Sequence, residues 1–491
     1  MRTYRREKVT TVFRNKRIDE AEFLKERQSV LSMWPTGKDV DLDEAIAYHK
    51  SLPDHKNFMK VASKLHQEGQ TVVFPRAGTP IIEQEIELNN TLYDSGLPLI
   101  PVTPDSYCRL LRFDKAQRGL EASIQSGTPK LNGFPTVVHG VKNTRRVVEN
   151  TKAALNQRMT NLDTRLLAEI AFASGIGAGL QDPLISFGCY EKNSTVEQNI
   201  RNSQYVYRLV GYYADHGVTI TNDLDGMLSH GVFPQSVSIA GVVAVALIAA
   251  EQGVKSIIPW ANMEGHLGQD IAWANLTRRL TREYLDKYGY KDAMTPAMFI
   301  AQVPIFPYPQ DMGYAFGFLN YSAMVAALSG AEGVYLRTID EAAGIPVKES
   351  HAVSYKSAKF IFNVVRAQKI DVKLDEVLIE ERITEMEVRA ILDRVFELGN
   401  GDVAIGLQKA FDSGIMDSPL SSNVNTKGLV LGVRDLRGAC RYLDFGNLPL
   451  PEEAKAYNRE KIAEREKTEG KKLDYHTVIR EFWSFADAKL V

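Results

Sequence analysis

A TIM (β/α)8 barrel of the α/β class, with an N-terminal helical extension and a C-terminal α+β region, is the fold this sequence predicts, and two observations carry it. Short runs rich in Val, Ile and Leu recur near 71–76, 98–103, 153–158, 182–187, 217–222, 255–260, 297–302 and 333–338, most of them followed by a helical pattern. Eight strands with crossover helices over roughly 270 residues suit a closed barrel better than an open doubly wound sheet, which more often uses five to seven.

Residues 1–69 form an arm and a helical extension. The start, MRTYRREKVTTVFRNKR, is basic with no apolar stretch behind it, so it reads as a solvated arm and not as a secretory signal. Helical spacing over 41–69 ends on Gly69, which suits a helix feeding the first strand. Residues 70–347 make the barrel. The first strand, TVVFP, is apolar throughout, as a strand covered on both faces must be, and it stops on Arg76. The run at 134–139 is a ninth strand candidate and is assigned to a loop. Ser194 and Glu197 have the spacing of a capping box opening a helix that Gly217 closes, and Gly253 closes the apolar segment IAGVVAVALIAA before VKSII. That segment is 12 residues long, too short to span a bilayer, and reads as a buried helix. Residues 348–491 change to long helices, one near 375–398 with apolar Ile379, Ile383, Met386 and Ala390. A glycine-rich stretch, 399–446, and a charged helix after Pro451 follow.

Composition narrows the function. A net charge of -2 gives no whole-chain drive toward nucleic acid or an anionic membrane. The three cysteines, Cys108, Cys189 and Cys440, lie far apart without a C-x-x-C, which argues against a disulfide framework and fits a reducing cytoplasm. In a TIM barrel the working residues lie where strands end, and here the first strand ends at Arg76, the loop after the second carries Arg109 and the third ends at Arg158. Three guanidinium groups at one mouth repel one another unless anions lie among them, and each can grip a carboxylate through two parallel bonds. A small dicarboxylate is the simplest guest and a phosphate the competing one, although TIM-barrel phosphate sites form from glycine-rich loops after strands seven and eight and need no arginine cluster. Asp223, Asp225 and Glu264 follow later strands and read as loop caps and turn residues before they read as a metal triad. No strand ends in the lysine a Schiff base needs.

Ten blocks then identify a resemblance along nearly the whole chain. They are MWPTGKDVDLDEA at Met33, FPRAG at Phe74, LNGFP at Leu131, DTRLLAEI at Asp163, YRLVGYY at Tyr207, IAAEQGVK at Ile248, PQDMGYAFG at Pro309, EAAGIPVKE at Glu341, ELGNGDVAIG at Glu397 and RYLDFGN at Arg441. In these the sequence resembles the epsilon subunit of glutamate mutase (methylaspartate mutase). The resemblance implies a TIM barrel that works with a small, separate subunit binding cobalamin through D-x-H-x-x-G, a motif absent from this chain. It implies a heterotetramer built on a dimer of this chain, with adenosylcobalamin held between the subunits. The adenosyl radical takes a hydrogen from glutamate, and migration of a glycinyl fragment gives 3-methylaspartate.

By the same resemblance Arg76, Arg109 and Arg158 grip the two substrate carboxylates, and Gly78, Asn132, Tyr308, Arg337, Glu341 and Ile345 touch the coenzyme. The family's phenylalanine and lysine are here Tyr308 and Arg337, which keep ring and charge but change reach. The segment GIGAGLQDPLISFGCYEK departs further. Counted without a gap from Glu169 to Tyr190, the glutamate facing the substrate ammonium falls on Leu180, the first of two tyrosines near the substrate on Ser186, and the proline beside the cobalamin on Cys189. Tyr190 matches, and the histidine after the third arginine is Met159. An ammonium facing leucine loses its charge partner. Three readings follow: a mutase of glutamate with Asp182 or Gln181 replacing the lost carboxylate, the same chemistry on a dicarboxylate without an amino group, or a non-catalytic paralogue that binds the small subunit only.

Overall fold

The computed structural model describes residues 12–160, 163–226, 228, 231–301, 307–343, 348–418 and 420–491. Its centre is an all-parallel eight-stranded sheet rolled nearly into a barrel: β1 (Val72–Pro75), β2 (Leu99–Val102), β3 (Ala154–Arg158), β4 (Ala178–Leu180), β5 (Thr221–Leu224), β6 (Ile257–Asn262), β7 (Phe299–Ala301) and β8 (Gly333–Leu336). Neighbours pair in chain order from β2 to β8, and β8 pairs with β1. Closure between β1 and β2 rests on one parallel bridge, Ala77 to Val102. The TIM-like fold is therefore as expected.

Small and aromatic residues alternate inside. Phe74, Trp260 and Phe299 meet at ring-centroid distances of 5.2 to 5.7 Å, with Ala154, Ala178 and Ala301 in the same buried cluster. Phe58, Ala62 and Leu65 of the helix Phe58–Gln67 join that cluster from below, so this helix plugs the N-terminal end of the barrel. The apolar segment becomes the buried helix Ser236–Glu251, which ends at Gln252 before Gly253 at φ +98°. Among the described residues no helix is long and apolar enough to cross a membrane.

Several boundaries differ from the sequence expectation. The fourth strand is Ala178–Leu180, not 182–187. Pro183 has no N–H to give a ladder, and the Asp182 carboxylate accepts from the N–H groups of Leu184 and Ile185, turning 183–190 into helical turns. The fifth strand is shifted to Thr221–Leu224, so Asp223 lies inside it and does not follow it. The run assigned to a loop, 134–139, instead opens the helix Thr136–Asn150, kinked at Gly140 (φ +70°). The capping box is one residue later, Thr195 with Gln198. Ser194 accepts from Asn199 Nδ2 at 2.8 Å, and Glu197 pairs with Arg201 at 2.7 Å. The stretch 41–69 is two helices, Leu42–Ser51 and Phe58–Gln67, broken at Pro53. From Val12 the arm is not free: Gln204 donates to the Arg14 carbonyl, and Arg17 donates to Asp215 at 2.5 Å. Residues 1–11 lie outside the described residues.

Beyond the barrel, the helix Asp375–Leu398 packs Val388, Ile391, Leu392 and Val395 into the same core as the helix Ser236–Glu251. Its buried stripe contains Ile383, whereas Ile379 is exposed. A two-stranded antiparallel sheet follows, β9 (Val430–Arg434) and β10 (Cys440–Phe445), tied to that helix by a buried Arg441–Glu380 pair at 2.6 Å.

Candidate functional site

The site lies where the parallel strands end. Three loops converge on the carbonyl of Thr103: the Phe134 N–H donates to it at 2.8 Å, and a Cβ on Gly78 or Gly133 would lie 2.7 or 2.6 Å from it. No side chain larger than hydrogen fits at either position. That packing sets the backbone that carries Arg76 over the barrel mouth.

Arg76, Arg109 and Arg158 arrive by three routes: directly after β1, from the short turn Ser106–Arg109 after β2, and as the last residue of β3. Arg76 Nη1 donates to Glu341 Oε1 at 2.6 Å, Glu341 lying just after β8. Arg109 Nε donates to the Pro104 carbonyl at 3.1 Å. Arg158 is buried, its guanidinium 4.5 Å from the Tyr335 ring centroid, and its Nη1 has no hydrogen-bond partner. The electrostatics show that the three share one space. Burial pulls Arg109 below the ordinary guanidinium range, and Arg76 and Arg158 push it the same way. Arg76 is held above that range, first by Tyr335 and, against burial, by Glu341 and Tyr190.

Tyr190 ends the turn Ser186–Tyr190. Burial around its hydroxyl raises the phenol, although 38% of the residue is accessible, and Arg158 and Arg109 oppose the rise. Its segment is fixed from outside the barrel: Ser421 Oγ donates to the Gly188 carbonyl at 2.7 Å, and Asn423 Nδ2 to that of Phe187 at 3.2 Å. Tyr190 is thus brought to the three arginines. Cys189 is buried against Ile185, and burial, with Asp225 and Asp182 nearby, keeps it a thiol. Ser186 is buried as well, its hydroxyl without a partner.

Leu180 is fully buried as the last residue of β4, in the interior cluster with Phe74 and Trp260. Met159 is not brought to the mouth. A Cβ on Gly179 would lie 2.4 Å from Met159 Cε and 3.0 Å from Phe172, so its side chain fills the layer between β4 and the outer helices. Neither expected replacement for the missing carboxylate is available. Asp182 accepts from the N–H groups of Leu184, Ile185 and Gly226, and Gln181, next after interior Leu180, faces the outer helices, where its Nε2 donates to Ser203 Oγ.

Asn132 is exposed at the rim, its Oδ1 accepting from the Ser106 N–H at 2.9 Å. Arg337 lies 5.4 Å from the Tyr308 ring centroid, both buried, after β8 and β7 respectively. Ile345 lies outside the described residues. Sequence reasoning missed Tyr335 and Trp260, both within 6 Å of the Arg158 guanidinium. The signal was an aromatic residue in the second half of a buried strand, Trp260 in IIPWAN and Tyr335 in GVYL. Among the described residues no group of three or more His, Cys, Asp or Glu could hold a metal ion.

Fold and site together define a (β/α)8 protein with a cationic, aromatic-walled mouth suited to a small polyanion. Residues 52–491 match the family described as methylaspartate mutase E chain (MutE), and the chain belongs to that family. It is 39% identical over 479 residues to a glutamate mutase epsilon subunit of Desulfitobacterium hafniense (strain Y51), covering 97% of this chain and 98% of that one. It is 38% identical over 480 residues to one of Escherichia coli O157:H7, with 97% and 99% covered. To one of Haloarcula marismortui it is 34% identical over 479 residues, with 97% and 96% covered.

Proposed function

We propose that this chain is the large subunit of an adenosylcobalamin-dependent carbon-skeleton mutase that interconverts L-glutamate and (2S,3S)-3-methylaspartate, or a close dicarboxylate pair. In this reading it works in the cytoplasm as a dimer, with a small subunit that ligates cobalt through D-x-H-x-x-G. The observation that carries the reading is the convergence of Arg76, Arg109 and Arg158 on one space, with Arg109 pulled down by burial first and then by the other two. Three crowded guanidinium groups are relieved by two carboxylates, and a planar fork holds each in a fixed orientation.

The residues around the mouth fit the coenzyme. Gly78 packs against the Thr103 carbonyl and is half-buried, Asn132 offers an exposed amide, Glu341 beside Arg76 offers a carboxylate to vicinal hydroxyls, and Arg337 lies near the Tyr308 ring. When bound, the coenzyme supplies the hydrogen-abstracting radical that no side chain of this chain provides. The chain's own work is to bind and orient. Arg109 and Arg158 hold the carboxylates against the aromatic wall of Tyr335 and Trp260, and Phe74 and Phe299 close the barrel below them to water. Arg76 contacts both sides, since its partner Glu341 belongs to the coenzyme side.

A second reading, a dicarboxylate without an amino group, is favoured by one observation: Leu180 is buried among apolar residues where the family places a carboxylate. The two-component reading is tested by gel filtration. The chain, a D-x-H-x-x-G subunit and adenosylcobalamin should co-elute as one complex, and the chain alone should elute without the coenzyme. Stoichiometric retention by the isolated chain would refute it.

A further inference from the structure

The register of β3, β4 and β5 places Arg158 opposite Leu180 and Leu180 opposite Asp223, so Arg158 and Asp223 flank Leu180 on either side. Side chains alternate across a strand, and Leu180 belongs to the interior cluster, so Asp223 faces the interior too. Asp223 is fully buried. Its Oδ2 accepts from Asn156 Nδ2 at 2.9 Å, and Asn156 lies two residues before Arg158 on the same face of β3. Its Oδ1 has no partner, nor has Asn156 Oδ1, nor Arg158 Nη1. Two acceptors, Asp223 Oδ1 and Asn156 Oδ1, and two donors, Arg158 Nη1 and Trp260 Nε1, are thus left without protein partners around Leu180. A lone carboxylate oxygen in a closed interior costs free energy until a proton or a guest meets it, and this one lies in the same layer as the Arg158 guanidinium.

Such a set suits one kind of group. An α-amino acid end carries a carboxylate that takes the Arg158 donor and, one bond away, an ammonium that needs acceptors. We propose that Asp223 is the counter-charge for the substrate ammonium, with Asn156 Oδ1 as a second acceptor, so that the guest is an amino dicarboxylate in spite of Leu180. This rests on the dicarboxylate reading of the three arginines. The missing carboxylate is supplied from the next strand, on the same layer of the barrel. Burial pushes the Asp223 carboxyl well above its ordinary range, Arg158 and Asn156 oppose that, and Asp225 adds to it. An arriving ammonium gives the ionised carboxylate the partner it lacks.

The test is calorimetric binding of L-glutamate and of glutarate, which keeps both carboxylates and lacks the ammonium, to the complex of the full chain with its small subunit. Wild type should bind L-glutamate about tenfold or more tightly than glutarate, the scale of one charge-assisted contact. Asp223→Asn should abolish that preference and leave glutarate binding within about twofold, as expected when only the ammonium contact is lost. A wild-type preference for glutarate overturns the proposal, as does equal weakening of both ligands by Asp223→Asn. Should the variant not fold, the wild-type preference decides. The underlying reading fails separately: if neither ligand binds, both fall, whereas if both bind equally and Arg109→Lys weakens both, only the role of Asp223 falls.

Discussion

At the scale of single residues the account turns on buried charge. Arg109 uses one donor, Nε, on the Pro104 carbonyl, which leaves the other face of its fork for a guest. Lysine cannot reproduce that geometry, so Arg109→Lys should lower kcat/KM of the reconstituted enzyme at least tenfold, about 1.4 kcal/mol or more of transition-state binding. Unchanged steady-state kinetics would remove Arg109 from the clamp. Glu85 is a different case. It is fully buried under the loop at Gly78, accepts from the Thr79 N–H at 2.7 Å, and burial pushes its carboxyl up to about 7. A carboxyl raised on folding contributes its full stability below pH 4.5 and loses it as pH climbs to about 7. Glu85→Gln should therefore be near neutral at pH 4.5 and more stable than wild type at pH 8, by roughly 3 kcal/mol at most, in urea denaturation. A pH-independent difference would show that Glu85 does not titrate on folding. Arg76 and Arg158 were legible because each ends a strand and Arg109 because it lies in the loop after the second, whereas Tyr190 came only through the family resemblance. Asp223 was not legible, because polar Asn222 and Asp223 after GVTIT read as turn chemistry, and only strand register puts Asp223 opposite Leu180.

At the scale of elements, most strands and helices were legible from periodicity, and the failures fall where the period is short, ambiguous or interrupted. The run 182–187 is as apolar as a strand, but period alone does not separate a buried strand from a buried helical turn, and Asp182 with Pro183 decides for the turn. The true strand, Ala178–Leu180, is short and carries a glycine, so it shows little apolar signal. Thr136–Asn150 was hidden likewise, because its first residues follow Pro135 and its kink at Gly140 interrupts the helical spacing. Contact between elements makes a prediction that sequence could not. The helix Val196–Asp215 meets the turn after the helix Ser236–Glu251 so closely that a Cβ on Gly211 would lie 2.1 Å from the Gln252 carbonyl oxygen. Gly211→Ala must push these elements apart, despite alanine's better helix propensity, and should cost about 1–3 kcal/mol in chemical denaturation. A stabilised variant would mean the contact is loose.

At the scale of the whole molecule, the barrel supplies a rigid mouth and the C-terminal region fixes part of it. Ser421 and Asn423 hold the carbonyls of Gly188 and Phe187, and so the turn that carries Tyr190. Ser421→Ala should then lower kcat/KM of the reconstituted enzyme severalfold with little change in global stability, whereas Asn423→Ala, which strips the Phe187 and Ser194 carbonyls of a buried donor, should also cost about 1–3 kcal/mol of stability. An unaffected kcat/KM would separate the C-terminal region from the site. The division of labour we propose is the larger claim, with this chain binding and orienting the dicarboxylate and a separate small subunit bringing the cobalt. The most direct measurement is NMR of 13C-labelled L-glutamate incubated with the chain, the D-x-H-x-x-G subunit and adenosylcobalamin. The account predicts 3-methylaspartate in the complete mixture and in none that lacks one component. Glutamate left unchanged by a complex that forms and binds the coenzyme would contradict it.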